Sequence, residues 1–277
     1  MISFLLLTNT LSHAEGISLA RIPHIHEVAV DPAQPDHLIL ATPRGLYRLT
    51  PTKEMQPLLD ESHDVTSLVV SDDGKFLLVS GKKNGQPFGI LLSADGGKSW
   101  MPQSQTKSSY RLMKLFGPKA RLLAVEKKLL GSNNAGKNWT EVGDMPQFTL
   151  GLSPSRKSTR QLLAATAKGL KACTDGGKTW NIVNVGAPAK PGKPVSLVSR
   201  DSRDRAWAFV VGAGLFSQKT SGEWQIRAKA SQFNGAIIHL AADTSHNKRL
   251  IAVTQYIKIL QSEDSGQSWQ AWGRKAK

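Results

Sequence analysis

An all-β chain built from repeats is predicted by three observations. First, five stretches end in tryptophan at nearly even spacing: SADGGKSW (93–100), SNNAGKNW (132–139), CTDGGKTW (173–180), SQKTSGEW (217–224) and SEDSGQSW (262–269). Successive tryptophans are 39, 41, 44 and 45 residues apart, a period that marks one supersecondary unit per repeat. Second, each stretch follows a strand-turn-strand pattern such as LLVSGKKNGQPFGILL, LLAATAKGLKA or LIAVTQYIKIL. Third, each of those follows one more short apolar run: VTSLVV, RLMKLF, FTLGLS, VSLVSR or IIHLAA. Runs this short, bounded by Gly, Pro, Asn and Asp, are strands and not helices.

Taken in order, the runs give three strands, a polar turn and a tryptophan-led fourth strand such as WTEVG or WNIVNV. Four strands per repeat at this period make a propeller blade. Six units begin near His24, Val65, Ser109, Phe148, Val195 and Ile237, so a single six-bladed β-propeller is predicted over about 24–272, within a domain of 15–277. The first unit, with HIHEVAV and LILATPRGLYRL (38–49), has no tryptophan stretch after it. The Lys/Pro/Gly segment AKPGKP (189–194) is expected to join two blades, not two domains.

Within the repeated stretch, Asp95, Asp175 and Asp264 sit where a carboxylate can accept hydrogen bonds from turn amides. Asn134 keeps that chemistry in the second stretch. Gly97, Gly136, Gly177 and Gly266 can take the positive φ of a tight hairpin. Trp100, Trp139, Trp180, Trp224 and Trp269 are expected to bury their rings between blades. The fourth stretch departs, with Lys219 at the acid's position and the glycine moved to Gly222, so a looser turn is expected in the fifth blade. Cys173 stands where the others have serine; as the sole cysteine it excludes an intrachain disulfide and is expected to be small, buried and inert.

Composition bounds the function. Lys plus Arg number 36 against 21 Asp plus Glu, a formal charge of +15 with a pI near 10.0. The basic residues are scattered and form no block of five, which predicts attraction to anionic surfaces and not a dedicated nucleic-acid groove. Residues 1–14, MISFLLLTNTLSHA, are uncharged and apolar and end in a small-x-small pattern suited to signal-peptidase cleavage before Glu15. They are read as the end of a signal peptide whose positive n-region would lie upstream, and export to the periplasm or beyond is expected. The apolar run is too short to span a bilayer.

The pattern Ser-x-Asp-x-Gly-x-x-Trp resembles the Asp-box (BNR) repeat of the sialidase superfamily and related propellers, and the likeness runs through the whole of 15–277. The segment HIHEVAVDPAQPDHLILATPRGLYR is similar to small exported Asp-box proteins often labelled glycosyl hydrolase. Similar boxes occur in an assembly factor for photosystem II and in sortilin-type receptors. The resemblance therefore implies a fold and leaves activity open. A sialidase-type site implies an arginine clamp, a Tyr–Glu nucleophile pair and an acidic proton donor. Arg21, in an Arg-Ile-Pro tripeptide, and Tyr256, in the last blade, are the catalytic candidates that it offers. The tripeptide is short and badly placed, and alternation sets Tyr256 in a packed strand. No facing carboxylate pair of the kind used by other glycosidases can be named.

His24 and His26, two apart on a strand, would share a face, and closure of the ring would bring His239 of the last blade near them and Glu27. Those histidines are the metal-ligand candidates, although no cofactor is expected. The reading with most support is an exported, monomeric, non-catalytic propeller that binds a protein or polyanionic partner as a scaffold in the cell envelope. The loops at 80–89 (SGKKNGQPFG) and 190–194 (KPGKP) are its expected contact points. A glycoside hydrolase and a metal-associated envelope protein are the alternatives.

Overall fold

The β-branched and leucine-rich runs of each unit pair with one another in chain order, giving six four-stranded antiparallel sheets. The computed structural model describes residues 18–103, 108–117, 121–125 and 128–273; the proposed signal peptide at 1–14 lies outside them. Blade 1 holds β1 (Glu27–Val30), β2 (Leu38–Thr42), β3 (Gly45–Leu49) and β4 (Met55–Leu59). Blade 2 holds β5 (His63–Val70), β6 (Leu77–Lys83), β7 (Gln86–Ser93) and β8 (Met101–Pro102), and blade 3 holds β9 (Arg111–Phe116), β10 (Arg121–Val125), β11 (Leu129–Ser132) and β12 (Thr140–Gly143). Blade 4 holds β13 (Thr149–Pro154), β14 (Leu162–Thr166), β15 (Gly169–Cys173) and β16 (Asn181–Ile182), and blade 5 holds β17 (Val195–Arg200), β18 (Ala206–Val210), β19 (Gly214–Gln218) and β20 (Trp224–Lys229). Blade 6 holds β21 (Ile237–Ala242), β22 (Leu250–Thr254), β23 (Ile259–Ser262) and β24 (Gln270–Ala271). In every sheet the spatial order is the chain order. The six-bladed β-propeller read from the sequence is the fold, and 189–194 joins blades 4 and 5.

The core lies between the sheets. Leu38 and Leu40 of β2 enter the cluster shared with blade 6, while Ile39 and Ala41 enter the cluster shared with blade 2. Strand β18 repeats this, with Ala206, Ala208 and Val210 on one side and Trp207 and Phe209 on the other. Strand β22 does so again with Ile251 and Val253 against Leu250 and Ala252. A strand that alternates between two apolar surroundings reads as an unbroken apolar run, which is why LILAT, AWAFV and LIAVT show no polar face. Blades 6 and 1 share no strand; Trp272, Ile251, Val253 and Ile259 close the ring against Leu38, Leu40, Tyr47 and Met55.

The repeated turns between third and fourth strands wedge into the base of these clusters. In blade 2, Ser93 Oγ accepts from Gly97 N at 2.8 Å and donates to Asp95 at 2.8 Å. Asp95 accepts in turn from Lys98 N and Ser99 N at 3.0 and 2.9 Å and from the Ser99 hydroxyl at 2.6 Å. Asp175 and Asp264 repeat the network, and Cys173 Sγ takes the serine's place, accepting from Gly177 N at 2.9 Å and donating to Asp175 at 2.8 Å. Asn134 keeps the bond to Asn138 N at 2.9 Å, and Ser132 accepts from Gly136 N at 2.8 Å. At Gly177 the constraint is double: φ is +108°, and a Cβ would sit 2.7 Å from Leu129 of the preceding blade. Trp100 and Trp180 pack between blades and donate their indole N–H to Leu58 O and Asp144 O, both on the neighbouring blade. Trp139 lies between blades 2 and 3, while Trp269 packs near Phe233 and donates to Gly266 O of its own turn.

Two expectations are corrected. The fifth-blade turn is not looser. Lys219 N bonds Glu223 O at 2.7 Å and Gly222 N bonds Lys219 O at 2.9 Å, so backbone bonds close a short hairpin before Trp224, leaving Ser217 Oγ buried without a partner among the described residues. Residues 80–89 are no loop: β6 and β7 run on and are joined by Asn84-Gly85, both at positive φ (+48° and +79°), as a tight primed turn requires. A second repeated turn, unread in the sequence, ends the innermost strands of blades 1, 2, 4, 5 and 6. Asp31, Asp201 and Asp243, or Ser71 and Ser155, accept backbone N–H groups of the loop that follows. Asp204 of blade 5 also accepts from Ser155 Oγ and Arg156 N, tying blade 5 to blade 4.

Two outcomes follow for stability. Ser93→Ala removes a buried acceptor from Gly97 N and should cost about 1–3 kcal/mol in urea melts, whereas Ser217→Ala removes an unpaired hydroxyl and should stay within about 0.5 kcal/mol of the parent. The Ser99 hydroxyl, the Ser99 N–H and the Ser93 hydroxyl hold the Asp95 carboxyl at about 2, against an ordinary 3.8. Asp264 is also held at about 2, burial being outweighed by bonds from Ser268 and Ser262. Both acids favour the folded state while ionised, so their stabilisation is whole above pH ~4 and lost as pH falls toward 2. Asp95→Asn, which copies Asn134, should flatten the acid limb of a Tm-against-pH curve between about pH 4 and pH 2.

Candidate functional site

The first strand of each blade faces the ring axis, and together these strands line a channel with a cavity of about 310 Å³, at the lower end for small-ligand sites. One register position repeats around it: Ala29, Val69, Lys114, Ser153, Ser199 and Ala241. Small residues from four blades and larger ones from blades 2 and 3 make the lumen lopsided.

Charges bridge the channel toward each end. Where the innermost strands begin, Lys114 Nζ of blade 3 meets Glu27 of blade 1 at 2.6 Å, spanning across blade 2. Where they end, Arg156 of blade 4 meets Asp72 of blade 2 at 2.6 Å, spanning across blade 3. Asp201, also lining the cavity, is paired with Arg205 at 2.8 Å. Arg200 donates to Asp204 O at 2.7 Å, and burial lowers its pKa against the pull of Asp204 and Asp201. The acids that line the cavity are thus each held by a cation.

The three candidate histidines do gather where the innermost strands begin, but they turn to other partners. His24 and His26 precede β1 and do not lie within it; their rings meet edge to face with centroids 4.4 Å apart. His26 Nε2 lies 3.0 Å from Asp64, and His239 Nε2 donates to Ile25 O at 2.7 Å, which fixes its tautomer. Burial lowers the pKa of His26, reinforced by His24 and opposed by Asp64. Burial likewise lowers that of His239, opposed by Glu27. Among the described residues no group of three His, Cys, Asp or Glu side chains is arranged to hold a metal ion.

Arg21 ends a short 3-10 turn, Leu19–Arg21, and is exposed, while the adjoining Ile22 packs into the blade 6–blade 1 cluster. Tyr256 is not in a packed strand. It is 61 % exposed in the turn between β22 and β23, which Ile257 N closes onto Thr254 O at 2.9 Å. Neither residue lines the channel cavity. The bridging groups Glu27–Lys114 and Asp72–Arg156 escaped the sequence reading because partners 87 and 84 residues apart leave no local pattern. Only the lysine inside RLMKLF, a charge in an otherwise apolar inner strand, was there to signal one of them.

With this geometry the chain is similar in fold to several solved propellers. No protein-family model and no curated protein matches it. YCF48 bound to D1 peptide is 19% identical, with a TM-score of 0.57, over 93% of this chain and 84% of that one. YCF48 from Cyanidioschyzon merolae is 17% identical, with a TM-score of 0.54, over 91% of this chain and 85% of that one. The GH74 enzyme of Niastella koreensis is 15% identical, with a TM-score of 0.62 over 89% of this chain, which spans only 45% of the enzyme's length. At these identities the likeness establishes the β-propeller and nothing finer. Among the described residues, no helix is long and apolar enough to cross a membrane.

The cross-channel pair gives a direct test. Lys114→Met leaves Glu27 part-buried and unpaired and should destabilise by about 1–3 kcal/mol, while Glu27→Gln with Lys114→Met should recover most of that loss in a double-mutant cycle.

Proposed function

We propose that this propeller is a non-catalytic binding or assembly scaffold, exported to the cell envelope, whose partner is a protein. The pairing of the channel acids is the observation that carries the reading. Glycoside hydrolysis needs two carboxyl groups about 5–9 Å apart, one kept protonated and one free to act as base or nucleophile. Here Glu27, Asp72 and Asp201 are each engaged by Lys114, Arg156 and Arg205, and the candidate Tyr256 stands outside the channel on a turn. A propeller of similar fold has been solved with a peptide bound, which supports a peptide-binding use of this scaffold. Export rests on residues 1–14 alone. The second reading, a glycanase, draws on the GH74 likeness and needs a carboxyl pair that these contacts do not supply.

A pull-down from envelope extract with residues 15–277, washed at low and then high salt, separates the outcomes. One protein retained through high salt is expected, because screening removes attraction due to the +15 charge alone. Turnover of aryl glycosides or sialosides, abolished by a single acid substitution or by Tyr256→Phe, would replace the scaffold reading with the glycanase.

A further inference from the structure

The end of the channel where the innermost strands begin carries three features that bear on binding. The first is exposed apolar surface. Phe148, Leu150, Val211 and Tyr256 are 58, 54, 39 and 61 % exposed, and all four sit at that end of blades 4, 5 and 6. Leu150 also lines the channel cavity, so the patch runs down into a concavity.

The second is backbone conformation. Of the non-glycine residues at positive φ, five are Lys, Asn, Ala, Asp or Ser in polar turns. The other three are bulky and apolar, Leu112 (+52°), Phe148 (+59°) and Ile257 (+59°), and all lie at this one end. Such residues adopt that region only at a cost of order 1–3 kcal/mol, and outliers of this kind cluster at ligand-binding sites. Two of them, Phe148 and Ile257, display rings. Ala167 N bonds Phe148 O at 3.1 Å, and Lys168 Nζ lies 5.2 Å from the Phe148 ring centroid. Ile257 turns the chain so that Tyr256 faces outward. Gly235 backs that ring so closely that a Cβ there would meet it at 2.8 Å.

The third is charge. The connecting segments of blades 4–6 at this end (144–148, 167–168, 183–194, 211–213, 230–236 and 255–258) contain one acid, Asp144, which Lys128 engages at 2.6 Å. Lys168, Lys190, Lys193, Lys229 and Lys258 are exposed there, and none is ion-paired among the described residues. Val211 N, bonded to Pro194 O at 2.9 Å, holds the segment with Lys190 and Lys193 against blade 5. Across the channel, blade 1 and the start of blade 2 carry Asp60, Glu61 and Asp64 beside Arg44, Lys82 and Lys83, so acids and cations balance there.

From these three features together we infer that the aromatic and lysine-rich rim of blades 4–6 is the docking surface, and that its occupant is an extended acidic segment of a protein with an aromatic or large aliphatic side chain. Apolar side chains of the segment pack on Phe148 and on Tyr256 and one enters the mouth beside Leu150, while its acids meet the unpaired lysines. An anionic bilayer offers the same charge, but a flat surface does not reach a residue inside the channel. The inference rests on the binding reading above and names the surface that performs it.

The test uses residues 15–277 and a labelled twelve-residue peptide alternating Asp or Glu with Phe and Leu, followed by fluorescence anisotropy. Saturable binding is expected, weakened roughly tenfold or more by Phe148→Ala or Tyr256→Ala, with Tm unchanged because both rings are exposed. Met101→Ala and Ile182→Ala, at exposed apolar positions on outer strands, should leave affinity as it is. A peptide with alanine for Phe and Leu should bind only at low salt, and one with lysine for the acids should not bind. No saturable binding at about millimolar peptide, or equal affinity in the Phe148→Ala and Tyr256→Ala variants, overturns the surface. Binding to phosphatidylserine vesicles without binding to the peptide does the same in favour of a membrane. An extract protein still held through high salt by the Phe148→Ala/Tyr256→Ala double variant overturns the surface alone and leaves the scaffold standing.

Discussion

A sheet with two apolar faces needs a second sheet on each side of it, and that requirement governs this molecule. The middle strands β2, β14, β18 and β22 are buried along their whole length, so no blade can stand as an outer layer. The only arrangement that leaves none exposed is a closed ring. Six clusters, each drawn from two neighbouring blades, take the place of a single central core. The axis is therefore left to the narrow first strands, and whatever lines it is free to be polar. The serines and the ion pairs of the channel are tolerated there because stability is secured between blades.

Turn chemistry then fixes how the sheets meet. In four blades an acid, asparagine or thiol network presses a glycine against the apolar side chains of the preceding blade, as Gly177 does against Leu129. Indole N–H groups of Trp100 and Trp180 reach carbonyls of that same neighbour. Blade 5 shows that the network is dispensable where packing is strong. Its turn is closed by backbone bonds, with Gln218 donating to Gly222 O and Lys219 paired to Glu223, and its second strand carries Trp207 and Phe209, both fully buried. The second turn system works after the innermost strand in five blades, and through Asp204 it too reaches across to a neighbour.

The fold was legible because its signals are local: an eight-residue turn, an apolar run and a fixed period. The second turn was missed for a physical reason. Aspartate and serine serve equally as acceptors at Asp31, Ser71, Ser155, Asp201 and Asp243, and the loops between differ in length, so no fixed pattern survives. Tyr256 was misjudged because alternation assumes an unbroken strand, whereas positive φ at Ile257 makes a turn of the same residues. The channel pairs were illegible because ring closure alone brings their partners together. The distribution of charge followed the same logic. The exposed lysines of blades 4, 5 and 6 gather on one rim only when the ring sets those blades side by side.

The consecutive order of strands in every blade bears on how the ring comes together. Each hairpin closes over a short stretch of chain, so blades can form early from neighbouring residues. The joint between blade 6 and blade 1 is different. It depends on contacts such as His239 to Ile25 and Arg249 to Pro35, each linking residues 214 positions apart, and on no shared strand. That joint is a seam without a clasp: the last interface to be made, the first to part under tension, and the one that falls where the first and last blades meet. Moving the termini to another junction between blades would relocate the seam without altering any sheet.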